Sequence, residues 1–397
     1  MKYRNFKDKK ISLLGYGAMR FPTVEVDGKR EVDFPEAQRL IDRAIAGGVN
    51  YFDTAYPYHR GESERILGKI LSRYPRESYY LADKFPGHQI MDEYNVTEIF
   101  EEQLSKCGVE YFDFYLLHNV CESSVETYLN PKWDIIGHLC EEKQKGRIRH
   151  LGFSTHATVE ALEDFLKIAG DKMEFCQIQH NYLDSTLQRA DEKVKLLSSY
   201  GIPVFVMEPV RGGKLASLSP IAEERLKQLR PKESAASFCF RWLERIPEVT
   251  VILSGMSNMA QLEDNLATLS GGEPLTESEV MELAGLAESM KRSVPCTGCR
   301  YCTDVCPVGL DIPELLSVYN DMSFSASSNT AMRVEFLPND KKPEMCISCG
   351  ACREICPQKI DVPNTLEGLS KMLSGIPSWR EICRERAEDA KRQKAKH

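Results

Sequence analysis

Eight of the fourteen cysteines fall in one pattern written twice, and no other feature limits the fold as tightly. Cys296, Cys299, Cys302 and Cys306 precede Pro307 in Cys-x₂-Cys-x₂-Cys-x₃-Cys-Pro, and Cys346, Cys349, Cys352 and Cys356 repeat it before Pro357. Three thiolates two residues apart wrap corners of an iron–sulfur cubane; the fourth, held off by a longer step, ligates the other cluster where two clusters share one fold. The spacing therefore predicts one 4Fe–4S cluster on Cys296, Cys299, Cys302 and Cys356 and a second on Cys346, Cys349, Cys352 and Cys306. Structural zinc, the competing reading, ordinarily takes its ligands as two separated pairs. Neither cluster site is complete without the other motif, so both motifs must fold as one unit.

That unit is expected to be a smaller, mainly α-helical ferredoxin-like domain over residues 291–376, after a boundary near Lys291–Val294 that follows a helical segment at Glu277–Met290. A helix is predicted at Ile312–Asn320, and the stretch Ser325–Asn329 is polar. Asp311-Ile312-Pro313 and Asp361-Val362-Pro363 each set a capping acid ahead of a first-turn proline, the ordinary start of a helix. The remaining cysteines, Cys107, Cys121, Cys140, Cys176, Cys239 and Cys383, have no ligand spacing and are expected to be buried or incidental.

A length of 397 residues suits two or three domains, or one large barrel with an appendage. With 42% hydrophobic and 28% charged residues the chain can bury a sizeable core. A net charge of -8 excludes a global footprint for nucleic acid or an anionic membrane. Met1–Lys10 is polar and basic with no apolar run behind it, and no window of 18 uninterrupted apolar residues occurs. The expectation is a cytoplasmic protein with no membrane span, whose cysteines are reduced thiols or metal ligands. Residues 377–397 read as a basic, solvated C-terminal helix or tail: Arg380–His397 holds seven Lys or Arg against four Asp or Glu.

Before residue 290, β-rich runs alternate with apolar-periodic segments. The strands are expected near Ile11–Leu14 and at Asn50–Asp53, Ser78–Lys84, Tyr111–His118, Ile148–Ser154, Phe175–His180, Pro203–Glu208 and Val249–Ser254. Helices are expected at Ala37–Ala46, Ser63–Ser72, Thr97–Cys107, Val159–Ile168, Leu187–Tyr200 and Glu233–Leu243. Alternation on this scale over residues 1–290 is the signature of an α/β chain folded as a (β/α)₈ TIM barrel. A doubly wound open sheet shares that periodicity, but no Gly-x-Gly-x-x-Gly follows a predicted strand.

Asp53, Lys84 and His118 end three successive strands, where such barrels place catalytic groups, and Tyr58 follows five residues after Asp53. A phenol of ordinary pKa about 10 is a poor acid at neutral pH unless an ammonium lowers it. Lys84 supplies that charge, Asp53 holds Lys84, and Tyr58 can protonate a carbonyl oxygen that His118 positions.

These residues, with Asp53-Thr54-Ala55, Tyr58-x-x-Gly61-x-Ser63-Glu64 and Leu116-Leu117-His118, resemble the aldo/keto reductase family over roughly Ile11–Leu286. The resemblance implies a catalytic tetrad of Asp53, Tyr58, Lys84 and His118, with Tyr56 the competing acid. It also implies an extended NAD(P) site: Ser154, Gln177 and Asn181 near the nicotinamide, Met207 where many members carry an aromatic ring, and Glu208, Pro209, Arg211 and Gly212 over the pyrophosphate. Ser254, Gly255, Gln261, Asp264 and Asn265 fall in the segment for the adenosine phosphate, where Gly255, Met256 and Gln261 supply no charge that would select NADP over NAD. The two domains together resemble the iron–sulfur branch of that family.

The resulting expectation is an oxidoreductase for nicotinamide-linked reduction of a small carbonyl compound, or oxidation of an alcohol, coupled to electron transfer through two 4Fe–4S clusters. A ferredoxin or flavoprotein redox partner is a further expectation. Two alternatives are cluster-driven one-electron reduction in the barrel without nicotinamide, and a non-catalytic electron carrier or redox sensor.

Overall fold

The computed structural model describes residues 1–290, 294, 296, 298–324 and 326–394. Of the sequence expectations, positions 291–293 of the boundary and position 325 of the polar stretch lie outside the described residues. The chain divides into two compact units, one of Met1–Val280 with Arg386–His397 and one of Met281–Glu385.

The first unit is a closed barrel of eight parallel strands hydrogen-bonded in chain order, as expected. They are Leu14–Gly17, Tyr51–Asp53, Tyr80–Phe85, Phe112–Leu117, Ile148–Thr155, Cys176–Gln179, Val204–Met207 and Val249–Ser254. The strands read as near-continuous apolar runs because helices cover the outside while side chains fill the inside. Tyr51, Phe114, Phe175 and Phe205 form one interior layer, with ring centroids 4.8 Å apart for Phe175 and Phe205 and 5.3 Å for Tyr51 and Phe114.

The N-terminal region corrects one expectation. The strand anticipated near Ile11–Leu14 is two elements: Lys9–Ser12 pairs antiparallel with Tyr3–Phe6, and the barrel strand begins only at Leu14. This hairpin inserts Phe6 against Phe114 at 5.2 Å and Phe205 at 5.8 Å, so its apolar residues serve the barrel interior without belonging to its sheet. A second hairpin, Thr23–Val26 with Lys29–Val32, turns through left-handed Asp27 and Gly28, a standard two-residue hairpin signal. The helix expected over Leu187–Tyr200 is instead Asp184–Leu187 and Ala190–Ser199, because Arg189 between them is left-handed with φ 52°.

Helices Ser63–Leu71 and Val96–Cys107 follow the strands that end at Asp53 and carry Lys84. They touch backbone to backbone at Gly68, where a Cβ would lie 2.3 Å from the Cys107 carbonyl oxygen. That contact fixes the two loops from which the candidate site is built.

In the second unit, Ile312–Phe324 packs on Val362–Ser374 around Leu315, Leu316, Leu366 and Leu369. Both helices start as the sequence indicates: Asp311 Oδ1 accepts from Glu314 N at 3.3 Å and Asp361 Oδ1 from Asn364 N at 3.4 Å. The helix Ser328–Glu335 was not anticipated, because its first residues are polar; Ser327 Oγ caps it by accepting from Thr330 N at 3.1 Å. The last helix is Trp379–Lys394. Among the described residues no helix is long and apolar enough to cross a membrane.

Candidate active site and cluster sites

All four residues expected to act together meet at the C-terminal end of the barrel. Lys84, fully buried in strand Tyr80–Phe85, donates to Asp53 Oδ1 and, at 2.7 Å, to the Thr54 carbonyl oxygen. Its ammonium also stands 5.1 Å from the centre of the Tyr58 ring, and its charge acts on that phenol. The Tyr58 and His118 rings meet edge to face at 5.9 Å.

Tyr58 opens a turn in which His59, Arg60 and Gly61 have φ values of 49°, 60° and 90°. Left-handed backbone at two non-glycine residues costs about 1–2 kcal/mol each, and the surroundings must hold it. Phe21 N donates to His59 Nε2 at 3.2 Å, while buried Ser63 Oγ accepts from Thr54 Oγ1 at 2.9 Å and donates to Ala18 O at 3.2 Å. The Gly-x-Ser-Glu part of the motif thus fastens the loop that aims Tyr58.

Burial pushes the Tyr58 phenol above its ordinary pKa of 10.0, and Lys84 opposes that rise without cancelling it. The sequence argument anticipated a lowered phenol; in the structure desolvation outweighs the ammonium, and Tyr58 stays in its proton-carrying form. Burial also raises the Asp53 carboxyl against the pull of Lys84, whereas Asp53 and Tyr58 together lift Lys84 above 10.5 in spite of burial. Burial holds His118 well below 6.5, with help from the charges of Lys84 and Arg386, so its imidazole is neutral. Tyr56, the competing acid, is engaged elsewhere: it donates to Glu102 at 3.4 Å beneath Lys106, and burial raises it to about 12.

Two positioning residues, Gln103 and Tyr128, escaped the sequence reading. Gln103 Nε2 donates to the Lys84 carbonyl at 3.1 Å and to Glu64 at 2.9 Å, and Tyr128 donates to the carbonyls of His118 at 2.7 Å and Phe85 at 3.1 Å. The buried His88 ring lies 4.1 Å from that of His118 and is likewise held neutral by burial. None of these has a motif of its own; only the tertiary fold brings them to the tetrad.

The residues assigned to the nicotinamide nucleotide line the same strand ends, and many are already tied to one another. Gln177 Nε2 donates to Asp53 Oδ2 at 3.1 Å, so it braces the tetrad. Ser154 Oγ accepts from Asn119 N at 2.8 Å. Asn181 donates to Asp184 at 2.6 Å and to the Glu208 carbonyl at 3.0 Å, and Arg211 lies 3.0 Å from the same Asp184, a carboxylate the sequence reading passed over. Met207 ends its strand half-buried, ahead of buried Pro209. Glu208, Arg211, Gly212 and Gly213 all have positive φ, and the Arg211 and Gly213 N–H groups close turns onto the Glu208 and Val210 carbonyls at 3.0 Å each. Asn265 Nδ2 donates to Ser254 Oγ at 3.0 Å and Gln261 Oε1 accepts from Ser257 N at 2.8 Å, but Asp264 faces Ser234 at 2.6 Å. The segment taken as uncharged has a cation beside it: Arg20 Cβ lies 2.9 Å from where a Gly255 Cβ would be, and its guanidinium reaches Glu208 at 3.8 Å. Arg20 and Arg211 thus bring two guanidiniums to the loop that follows strand Val204–Met207, and such charges suit the phosphates of a dinucleotide.

In the second unit the eight cysteines sort into two sets across the motifs. Cys306, Cys346, Cys349 and Cys352 line one pocket, and Cys296, Cys299, Cys302 and Cys356 line another. Among the described residues no three His, Cys, Asp or Glu side chains converge as one metal ion requires. Four sulfurs ringed around an apolar cavity suit a cubane, and the residues present fit two. Of the other cysteines, Cys107, Cys121, Cys176, Cys239 and Cys383 are buried and Cys140 is half-buried.

Residues 13–288 match the aldo/keto reductase family, and residues 295–360 match the 4Fe-4S dicluster domain. The chain is 24% identical to the NADH-specific methylglyoxal reductase of Escherichia coli K12 over 288 residues, covering 62% of this chain and 85% of that one. It is 25% identical to the L-galactose dehydrogenase of Arabidopsis thaliana, covering 71% and 92% of the two chains. Among solved structures, the holo form of aldo-keto reductase AKR11C1 from Bacillus halodurans superposes with a TM-score of 0.58 at 25% identity, over 72% of this chain and 96% of that one.

Proposed function

Because the chain belongs to the aldo/keto reductase family, an oxidoreductase family, we propose that its barrel carries out nicotinamide-linked reduction of a small carbonyl compound, or the reverse oxidation, with Tyr58 as proton donor and acceptor. The observation that carries this reading is the junction at Lys84, one buried ammonium that donates to Asp53 and to the Thr54 carbonyl and lies 5.1 Å from the centre of the Tyr58 ring. NAD(P)H, when bound, supplies the hydride that reaches the carbonyl carbon. Tyr58 delivers its proton to the carbonyl oxygen, Lys84 stabilises the tyrosinate left behind, and Asp53 keeps Lys84 in place. Neutral His118 hydrogen-bonds the same oxygen and fixes its direction. Ser154, Gln177, Asn181 and Met207 would hold the nicotinamide end of the nucleotide, Glu208, Pro209, Arg211 and Gly212 its pyrophosphate, and Ser254, Gly255, Gln261, Asp264 and Asn265 its adenosine end. Either NAD or NADP suits this groove.

The reading assigns this chemistry to residues 1–290 and electron transfer to residues 291–376, with 377–397 appended. Bound 4Fe–4S clusters would exchange single electrons with a ferredoxin or flavoprotein in the cytoplasm. Tyr58→Phe is expected to lower carbonyl turnover by about 10²- to 10⁴-fold and leave cluster absorbance unchanged. Full turnover by that variant would remove Tyr58 from the mechanism. Because Met207 gives the nicotinamide no aromatic face, cluster-driven reduction at Tyr58 is the competing reading; Cys299→Ser would then abolish turnover that the nicotinamide reading lets it keep.

A further inference from the structure

The inference concerns which carbonyl compounds the site takes, and it rests on the reductase reading above. The last residues, from Arg386 on, group with the barrel. Within helix Trp379–Lys394, Arg386, Asp389 and Ala390 are half-buried while Ala387, Glu388, Lys391 and Arg392 are exposed, so the helix turns the first set inward. Asp389 Oδ2 pairs at 3.2 Å with Arg60 Nε, and Arg60 sits two residues past Tyr58 in the strained turn. Residues three apart share a helix face, so the pair that pins Asp389 to this turn also sets Arg386 on the side of Tyr58. We propose that Arg386 is a substrate-binding residue that selects carbonyl compounds carrying a carboxylate.

The charge of Arg386 bears on Tyr58, His88 and His118, and it opposes protonation of both imidazoles. Three groups of the site therefore share its field. The carbonyl chemistry does not call for this cation, because Lys84 already stabilises the tyrosinate and is matched by Asp53. A guanidinium is a planar fork of donors that takes a carboxylate through two parallel hydrogen bonds. The two neutral imidazoles that share its field add donors without adding charge. A substrate with its carbonyl at Tyr58 and a carboxylate at Arg386 satisfies both ends of the site.

The test compares glyoxylate, succinic semialdehyde and 4-carboxybenzaldehyde with their methyl esters, on the full-length protein with its clusters. The wild-type enzyme should favour at least one acid over its ester. Arg386→Gln should reduce that preference by about 10- to 100-fold, through a rise in KM for the acids that exceeds any change on the esters, and Arg386→Lys should restore part of it. Calorimetric binding of benzoate against benzamide gives a readout that needs no turnover. The proposal is overturned if the wild type favours no acid over its ester and binds benzoate no better than benzamide. Equal loss on acids and esters in Arg386→Gln overturns it too. Arg386-dependent benzoate binding without turnover of any carbonyl would uphold the anion site and refute the reductase reading instead.

Discussion

Removing either partner of the Lys84–Asp53 pair should unfold the barrel far more readily than removing both. Both side chains are buried, so Lys84→Met strands a carboxylate and Asp53→Asn strands an ammonium. Breaking such a pair from one side costs about 3–5 kcal/mol. Gln177 still donates to Asp53 at 3.1 Å and Thr54 still accepts from Lys84 at 2.7 Å, which places each single variant near the lower end, about 3 kcal/mol. Independent effects would then sum to about 6 kcal/mol, whereas a double variant with no charge to strand should fall within about 2 kcal/mol of wild type. Anaerobic urea unfolding followed by far-ultraviolet circular dichroism at pH 8 measures the three differences. A double variant as unstable as the sum of the singles would refute the coupling on which the tetrad argument depends. So would single variants that cost less than about 1 kcal/mol.

Acid should destabilise the barrel from about pH 6.5 downward, earlier than carboxylate titration requires. Burial lowers the pKa of His88 and His118 far below 6.5 and that of His156 to about 4, so in that window the unfolded chain binds more protons and stability falls as pH falls. The measurement is the urea midpoint between pH 8 and 5; a flat profile would contradict it. In the second unit, Cys306→Ala should deplete the cluster held mainly by Cys346, Cys349 and Cys352, and Cys356→Ala the other, as followed by electron paramagnetic resonance of the reduced protein. Loss of the cluster within the same motif would refute the crossed ligation.

The barrel was legible because each strand is a short apolar run and its helices carry a period of their own, so both signals survive in one dimension. The hairpin at Tyr3–Ser12 was not, because Ile11 and Leu13 read as one strand until pairing divides them. Asp53, Tyr58, Lys84 and His118 could be read from order and spacing, since each closes or follows a strand. Gln103, Tyr128 and Asp184 could not, because their partners lie on other elements. The direction of the Tyr58 shift was hidden for a different reason: it is the balance between desolvation and Lys84, and burial is a property of the folded chain alone.

The central claim is hydride chemistry at the Tyr58 end of the barrel, and isotope transfer tests it most directly. The full-length protein with its clusters would be given nicotinamide nucleotide deuterated at C4, in ordinary water without oxygen, with the acids and esters above as substrates. The account predicts deuterium bound to carbon in the alcohol product, and loss of product with Tyr58→Phe. An alcohol whose carbon-bound hydrogen comes from water, or product formed without nicotinamide, would contradict it.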